Sequence, residues 1–302
     1  MGWGKGLSEN GESYRKIGYG IMFIVLLSLL SLDCHRPPPE NEQQYDPRNI
    51  SRTETQSVGP SIALSPDGTV YVVWMDGSEN GYEPFHIYFK YKSADNGWSE
   101  PEVISDITTD SWEPHAIVDP FGNLHVVWRE QDPDITKAKI YYRMRSSTGE
   151  WSDIGVLSGE GALQPRIAVD PSGTVHVVWS AGALWYTYKP PEGGWATPRE
   201  VVLFAIAGDN PCLTVDSDGN CHLVYEYSGE IYYVTGSPTG EWSEPFNVSQ
   251  SKYTSWLGHV TVDEEERVYV LWTEEDWGAG PQTSNNYRGL SILTRWSVLL
   301  KG

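Results

Sequence analysis

The chain is poor in positive charge, in cysteine and in phenylalanine, and each shortage excludes something. Lys and Arg number 21 against 41 Asp and Glu, for a formal net charge of −20. A polyanion of this kind repels nucleic acid and anionic lipid, so nucleic acid is excluded as a partner. Three cysteines in 302 residues supply no disulfide framework. Only 6 Phe stand beside 14 Trp and 18 Tyr, a bias toward strands and amphipathic surfaces over a helical bundle. Long apolar runs are also scarce. The one at residues 21–32, IMFIVLLSLLSL, follows Lys5, Arg15 and Lys16. It falls short of the roughly 20 residues of a membrane span and suits the core of a secretory signal.

Cys34 follows that run directly, in LSLDC. The pattern resembles a bacterial lipoprotein signal, in which the Cys becomes the lipidated first residue. Asp33 stands where such signals carry a small residue, so an ordinary signal peptide or short anchor is the alternative over residues 1–34. Residues 35–46 read as a polar, Pro-rich linker. Both readings place the protein outside the cytoplasm, on a membrane or cell surface, in a periplasm, or secreted. Membrane contact is expected only through the N-terminal anchor, and the protein is expected to be a monomer.

What the chain does have is a repeat. One phrase occurs five times: PSIALSPDGTVYVVW ending at Trp74, PHAIVDPFGNLHVVW at Trp128, PRIAVDPSGTVHVVW at Trp179, PCLTVDSDGNCHLVY at Tyr225 and GHVTVDEEERVYVLW at Trp272. A second phrase follows the first four copies and carries Trp98, Trp151, Trp195 and Trp242. Asp-Pro-x-Gly between two short apolar strands is a tight-turn signature: Asp caps the turn, Pro presets φ and Gly accepts φ > 0. Each phrase therefore predicts a hairpin, and two hairpins make a four-stranded antiparallel sheet. Both faces of that sheet are apolar, so neighbouring sheets must cover both.

Such sheets recurring about every 50 residues describe a β-propeller. The expected fold is all-β, with five blades over 47–302: about 58–105, 112–158, 163–203, 209–249 and 257–302. The last blade lacks a fourth strand, and residues 47–53 are expected to complete it and close the ring. PRNISRTETQS at 47–57 repeats PEVISDITTDS at 101–111 and PFNVSQSKYTS at 245–255.

The repeat also assigns structural duties. His125, His176 and His222 share one position with Tyr71 and Tyr269, which marks it as framework. Both sets of Trp are expected between blades, and Asp119, Asp170 and Asp216 as turn caps. With the turn closed by Asp216 and Asn220, Val215 opposes Cys221 and Cys212 opposes Val224. The two cysteines then face apart, and no disulfide is expected.

The hairpins, with KSADNGWSEP at 92–101, resemble the sialidase-like superfamily of propellers built from BNR or Asp-box repeats. The resemblance covers 47 to about 296. It departs from the family box, Ser-x-Asp-x-Gly-x-x-Trp, because Trp98 follows Gly97 directly and the other copies lack the Asp. It implies that ligands meet the rim formed by the inter-blade loops and the loops between second and third strands. That rim carries Trp112, Glu113, His115, Gln164, Arg166, Asn210, Trp256 and His259 on the inter-blade side. The other loops carry Asp76, Glu79, Arg129, Glu130, Asp132, Asp134, Glu226, Glu274, Glu275, Asp276 and Trp277.

One position varies in chemistry between blades: Ser61, His115, Arg166, Cys212 and His259. It is expected to ring the mouth of the central channel. Ligand-contacting candidates are His115, Arg166, His259, Trp112, Trp256, Arg129, Asn210 and Trp277. Sialidases use three arginines, and only Arg129 and Arg166, with a more distant Arg288, are available here. The expected function is therefore a non-catalytic propeller that binds a glycan or protein partner. The alternative is a sialidase-like glycoside hydrolase, for which Glu113, Glu130, Glu226 and Glu274 are the available carboxylates. No cofactor is expected. Ca²⁺ at the acidic clusters 263–266 and 273–276 is an alternative to plain solvation, and neither matches a dedicated loop.

Overall fold

The computed structural model describes residues 49–53, 55–77, 84–93, 97–105, 109–131, 134–202, 209–237, 242–275 and 293–299. Five antiparallel sheets follow one another along the chain. The first holds β1 (Gln56–Leu64), β2 (Val70–Gly77), β3 (His86–Lys92) and β4 (Glu102–Val103). The second holds β5 (Asp110–Val118), β6 (Leu124–Gln131), β7 (Lys139–Arg145) and β8 (Gly155–Val156). The third holds β9 (Leu163–Val169), β10 (Val175–Ser180), β11 (Leu184–Lys189) and β12 (Arg199–Val202). The fourth holds β13 (Asp209–Val215), β14 (Cys221–Tyr227), β15 (Glu230–Gly236) and β16 (Phe246–Asn247). The fifth shows β17 (Thr254–Val262), β18 (Val268–Glu275) and β19 (Leu293–Leu299).

Each sheet is a blade, and its first strand is innermost: β1 packs on β5, β5 on β9, β9 on β13 and β13 on β17. The apolar cores lie between blades. Val73, Ile87 and Phe89 of blade one meet Leu124, Val126 and Trp128 of blade two, and three similar clusters join the later neighbours. In blades two to four the Trp after the second turn completes these contacts edge-on against the preceding blade. Trp151 meets Phe89 at 5.2 Å, Trp195 meets Tyr142 at 4.8 Å and Trp242 meets Tyr186 at 5.2 Å.

The turns form as their residues dictate. The Asp119 carboxylate accepts the amides of Phe121 (2.9 Å) and Asn123 (2.8 Å), and Asp170, Asp216 and Asp263 repeat the pattern. Gly68, Gly122, Gly173 and Gly219 take φ of 84–87°, where a side chain would be strained.

The framework histidines are buried between turn and sheet. His125 bridges Asp119 (3.2 Å) to the Tyr142 hydroxyl (2.8 Å), and His222 bridges Asp216 (3.2 Å) to Tyr233 (2.7 Å). Burial alone would raise the Asp119 and Asp216 carboxyls. The bonds from His and Asn outweigh it and hold both at about 2. A carboxylate depressed on folding stabilises the fold above its unfolded value, near 4, and loses that contribution as pH falls through the folded value. Thermal melts should therefore hold level above pH 4 and drop between pH 4 and pH 2, and D119N/D216N should flatten that drop. An unchanged acid limb in the double variant would show that other groups set it.

The cysteines follow the expected register: Val215 opposes Cys221, Cys212 opposes Val224, and both are free thiols. Of the closing strand expected over 47–53, the described residues 49–53 form no strand. Residues 49–53 are irregular, and the Thr53 hydroxyl bonds Asp76 of blade one at 2.7 Å. The reason lies in the repeat. RTETQS corresponds to DITTDS, the lead-in to β5, so it introduces β1. Thr55 bonds Asp76 just as Thr109 bonds Glu130. Blade one is also the least covered on its inner strand. Ile62 and Leu64 are 55% and 61% exposed, while Ala116, Ile167, Leu213 and Val260, at the position of Ile62 in the other blades, are buried.

Candidate functional site

The innermost strand of a propeller blade turns one edge toward the channel, so its amides there need partners other than a strand. This chain supplies them from side chains of the preceding blade, in two tiers. In the lower tier the Ser61 hydroxyl accepts the Ala116 amide (3.1 Å) and His115 Nδ1 accepts the Ile167 amide (3.3 Å). Cys212 Sγ receives the Val260 amide in the same way. The variable ring of the sequence is thus partly an inter-blade fastening, which tolerates Ser, His or Cys because each offers an acceptor.

Arg166 departs from that pattern. A guanidinium has no acceptor to offer, and Arg166 instead donates to the carbonyl of Pro165 (2.9 Å). Its charge bears on its neighbours. Burial, with Arg166 and His259 adding to it, drives His115 down to about 3, so His115 is neutral and free to accept the Ile167 amide. His259 moves the other way: its bond with Cys212 Sγ (3.8 Å) favours the protonated ring.

The upper tier rests on a bulge two residues before the ring. Gly59, Glu113, Gln164, Asn210 and Leu257 all take φ of 51–59°, and pairing slips at this point in every inner strand. The left-handed residue swings its side chain toward the next blade. Glu113 accepts the Gln164 amide (2.8 Å), and Gln164 Oε1 accepts the Asn210 amide (3.0 Å). Asn210 then donates to Glu226 (3.1 Å), whose carboxylate accepts the Leu257 amide. A relay of polar side chains therefore runs along the mouth from blade two to blade five.

Both tiers bear on the carboxylates. Glu113 and Glu226 belong to the relay. Glu130 accepts the Trp128 indole (3.0 Å) and the Thr109 hydroxyl (2.8 Å), and Glu274 accepts the Trp272 indole (3.1 Å). The four thus divide into two relay members and two indole acceptors, the latter 7% and 1% exposed. Asp134 caps a short 3-10 turn at Ile135–Lys137. Asp263 and Glu265 both pair with Arg267, at 2.6 and 2.7 Å. Among the described residues, no group of three or more His, Cys, Asp or Glu is placed to hold a metal.

Arg129 is buried at the rim, 3.7 Å from Glu113 and over the face of Trp112 (5.8 Å), which itself leans on Phe85 (4.8 Å). Burial lowers the Arg129 guanidinium and Glu113 opposes that shift. Trp112 and Trp256 occupy one repeat position beside the bulge, and neither indole N–H finds an acceptor among the described residues. Glu79, Asp132, Asp276, Trp277, Arg288 and Cys34 lie outside the described residues, as does the side chain of Glu275. The structure brings together His115, Arg166, Cys212 and His259, and separately Glu113, Gln164, Asn210 and Glu226. Cys212 was placed on the ring by the repeat, but only its contact with His259 shows its chemistry.

No family model matches the chain, and no curated protein does. Solved structures with a similar fold exist. A protein of unknown function from Dyadobacter fermentans aligns at a TM-score of 0.58 and 12% identity, over 83% of this chain and 80% of its own. An α-L-arabinofuranosidase from Fusarium graminearum aligns at 0.54 and 15%, over 80% and 76%. An intramolecular trans-sialidase from Ruminococcus gnavus aligns at 0.52 and 9%, over 72% and 77%. These are likenesses of fold.

Proposed function

We propose that this chain is an exported, non-catalytic propeller that binds a glycan at the channel mouth, with Arg166 at the centre of the site. The carrying observation is the division of labour there. The rim carboxylates Glu113, Glu130, Glu226 and Glu274 are held by donors of the framework itself, while among the ring residues of blades one to four Ser61, His115 and Cys212 fasten the next blade and Arg166 turns to the carbonyl of Pro165. The half-buried Trp256 flanks that mouth and offers an apolar face suited to sugar stacking, while the ring of its counterpart Trp112 is taken up by Arg129 and Phe85. The similar structures of an arabinofuranosidase and a trans-sialidase support a saccharide over a protein partner. Export rests on the apolar run before Cys34; an acylated or freshly cleaved N-terminus near Cys34 in the mature protein would support it. The same reading closes the ring between blades five and one, which would cover Ile62 and Leu64 as their counterparts are covered.

A glycan array run beside a panel of chromogenic glycosides tests the function. Saturable binding without turnover is expected. R166Q should weaken binding at least about tenfold, the cost of one charge-assisted contact, while its melting temperature stays within about 2 °C of the parent. Turnover that survives purification would instead favour a glycoside hydrolase.

A further inference from the structure

We propose that Cys212 is a reactive thiol of the channel mouth that exchanges with anionic low-molecular-weight disulfides, with His259 as its proton acceptor and Arg166 as its selectivity element. This goes beyond the glycan reading and does not depend on it.

The two cysteines of the propeller have opposite surroundings. Cys221 is fully buried, beside His176 (3.4 Å) and the Tyr186 hydroxyl (3.9 Å), and burial pushes its thiol up to about 12. Cys212 sits on β13 at the ring, partly open, with His259 exposed at 3.8 Å. Burial acts to raise its thiol, but the bond with His259, the Val260 amide and the charge of Arg166 together bring it below the ordinary value. Charged groups act on it from the blades on either side. β9 supplies Arg166 and β17 supplies His259, and the neutral His115 of β5 lies near those two. On β14, Val224 lies opposite Cys212, and Glu226 is taken up by Asn210 and Leu257. The local balance is therefore positive in a chain of net charge −20.

In the exchange, the Cys212 proton passes to His259 and the thiolate attacks one sulfur of the disulfide. A new Cys212 S–S bond forms, the original S–S bond breaks, and one thiolate leaves. No further oxidant is needed, because the incoming disulfide is the oxidant. Arg166 and protonated His259 favour a disulfide carrying carboxylates.

The test uses the full chain with Cys34→Ser, so that only Cys212 and Cys221 remain. Dithiobis(nitrobenzoate), an anionic disulfide, and dithiodipyridine, a neutral one, are the probes. The folded protein should release one equivalent of thiolate rapidly, with peptide mapping placing the adduct on Cys212. Cys221 should react only after denaturation. H259Q should slow the reaction roughly threefold to tenfold at pH 6 and move the midpoint of its pH profile upward. R166Q should reduce the rate with the anionic probe by a larger factor than with the neutral one, which feels only the rise of the thiol toward its ordinary value. Should either variant misfold, the parent protein decides the same points: its reactive thiol should titrate below an ordinary one, and salt should slow only the anionic probe. A Cys212 no faster than Cys221 in the folded chain, or an anionic preference insensitive to both Arg166 and salt, overturns the assignment.

Discussion

Trp128→Ala should lower the unfolding free energy by about 3–5 kcal/mol, the cost of emptying a large buried site. Trp128 is 0% exposed and lies in the cluster joining blades one and two, stacked on Tyr141 at 6.1 Å. Its loss removes more than volume. The indole donates to Glu130, a carboxylate only 7% exposed, and the variant takes that donor away. At about 2–4 °C per kcal/mol for a domain of this size, the melting temperature should fall by roughly 6–20 °C. Trp128→Phe keeps much of the ring and loses the donor, so it should cost about 1–3 kcal/mol and separate packing from hydrogen bonding. Chemical denaturation followed by far-UV circular dichroism reads both. A loss under about 1 kcal/mol for Trp128→Ala would mean that blades one and two unfold independently of their shared core.

The architecture was legible because each blade states it again. Asp-x-x-Gly with an apolar strand on either side names a turn by the φ it requires, and Asp119, Asp170 and Asp216 cap as that rule demands; Asp263 caps too, with Glu266 at φ 61° in place of the Gly. The same register correctly set Cys212 and Cys221 apart. The mouth was less legible. Glu113, Gln164, Asn210 and Leu257 share no side-chain chemistry, so nothing in their identities reveals a common left-handed bulge. What they share is a backbone position and an amide in need of a partner. For the same reason Glu130 and Glu274 read as free rim acids, although each lies two residues beyond a framework Trp and reaches back to its indole. A carboxylate spaced i+2 from a buried Trp on one strand face is the signal that could have found them. Residues 47–57 carry two signals at once. Their likeness to 101–111 is real, but it spans the end of one blade and the lead-in to the next. The lead-in half reaches blade one through Thr53, Thr55 and Ser57, which bond Asp76.

That half gives the second large effect, centred on Asp76. Asp76 is 2% exposed and accepts from Thr53 (2.7 Å), from Thr55, from Ser57 (2.5 Å) and from the Trp74 indole (3.1 Å). Burial acts to raise its carboxyl, and these four donors together hold it below the ordinary range. Asp76→Ala should cost about 2–4 kcal/mol, because the Trp74 donor is left buried without its acceptor while three hydroxyls lose a charged partner. The hydroxyls lie nearer the surface and can turn to water, so the triple variant T53V/T55V/S57A should cost less. The two changes should also differ in place. Loss of the hydroxyls should free residues 51–57 to proteolysis and hydrogen exchange while blade one keeps its protection. Loss of Asp76 should release both, since one carboxylate ties the lead-in to the Trp74 core. Equal protection of blade one in the two variants would show that the lead-in, and not the indole, is what Asp76 serves.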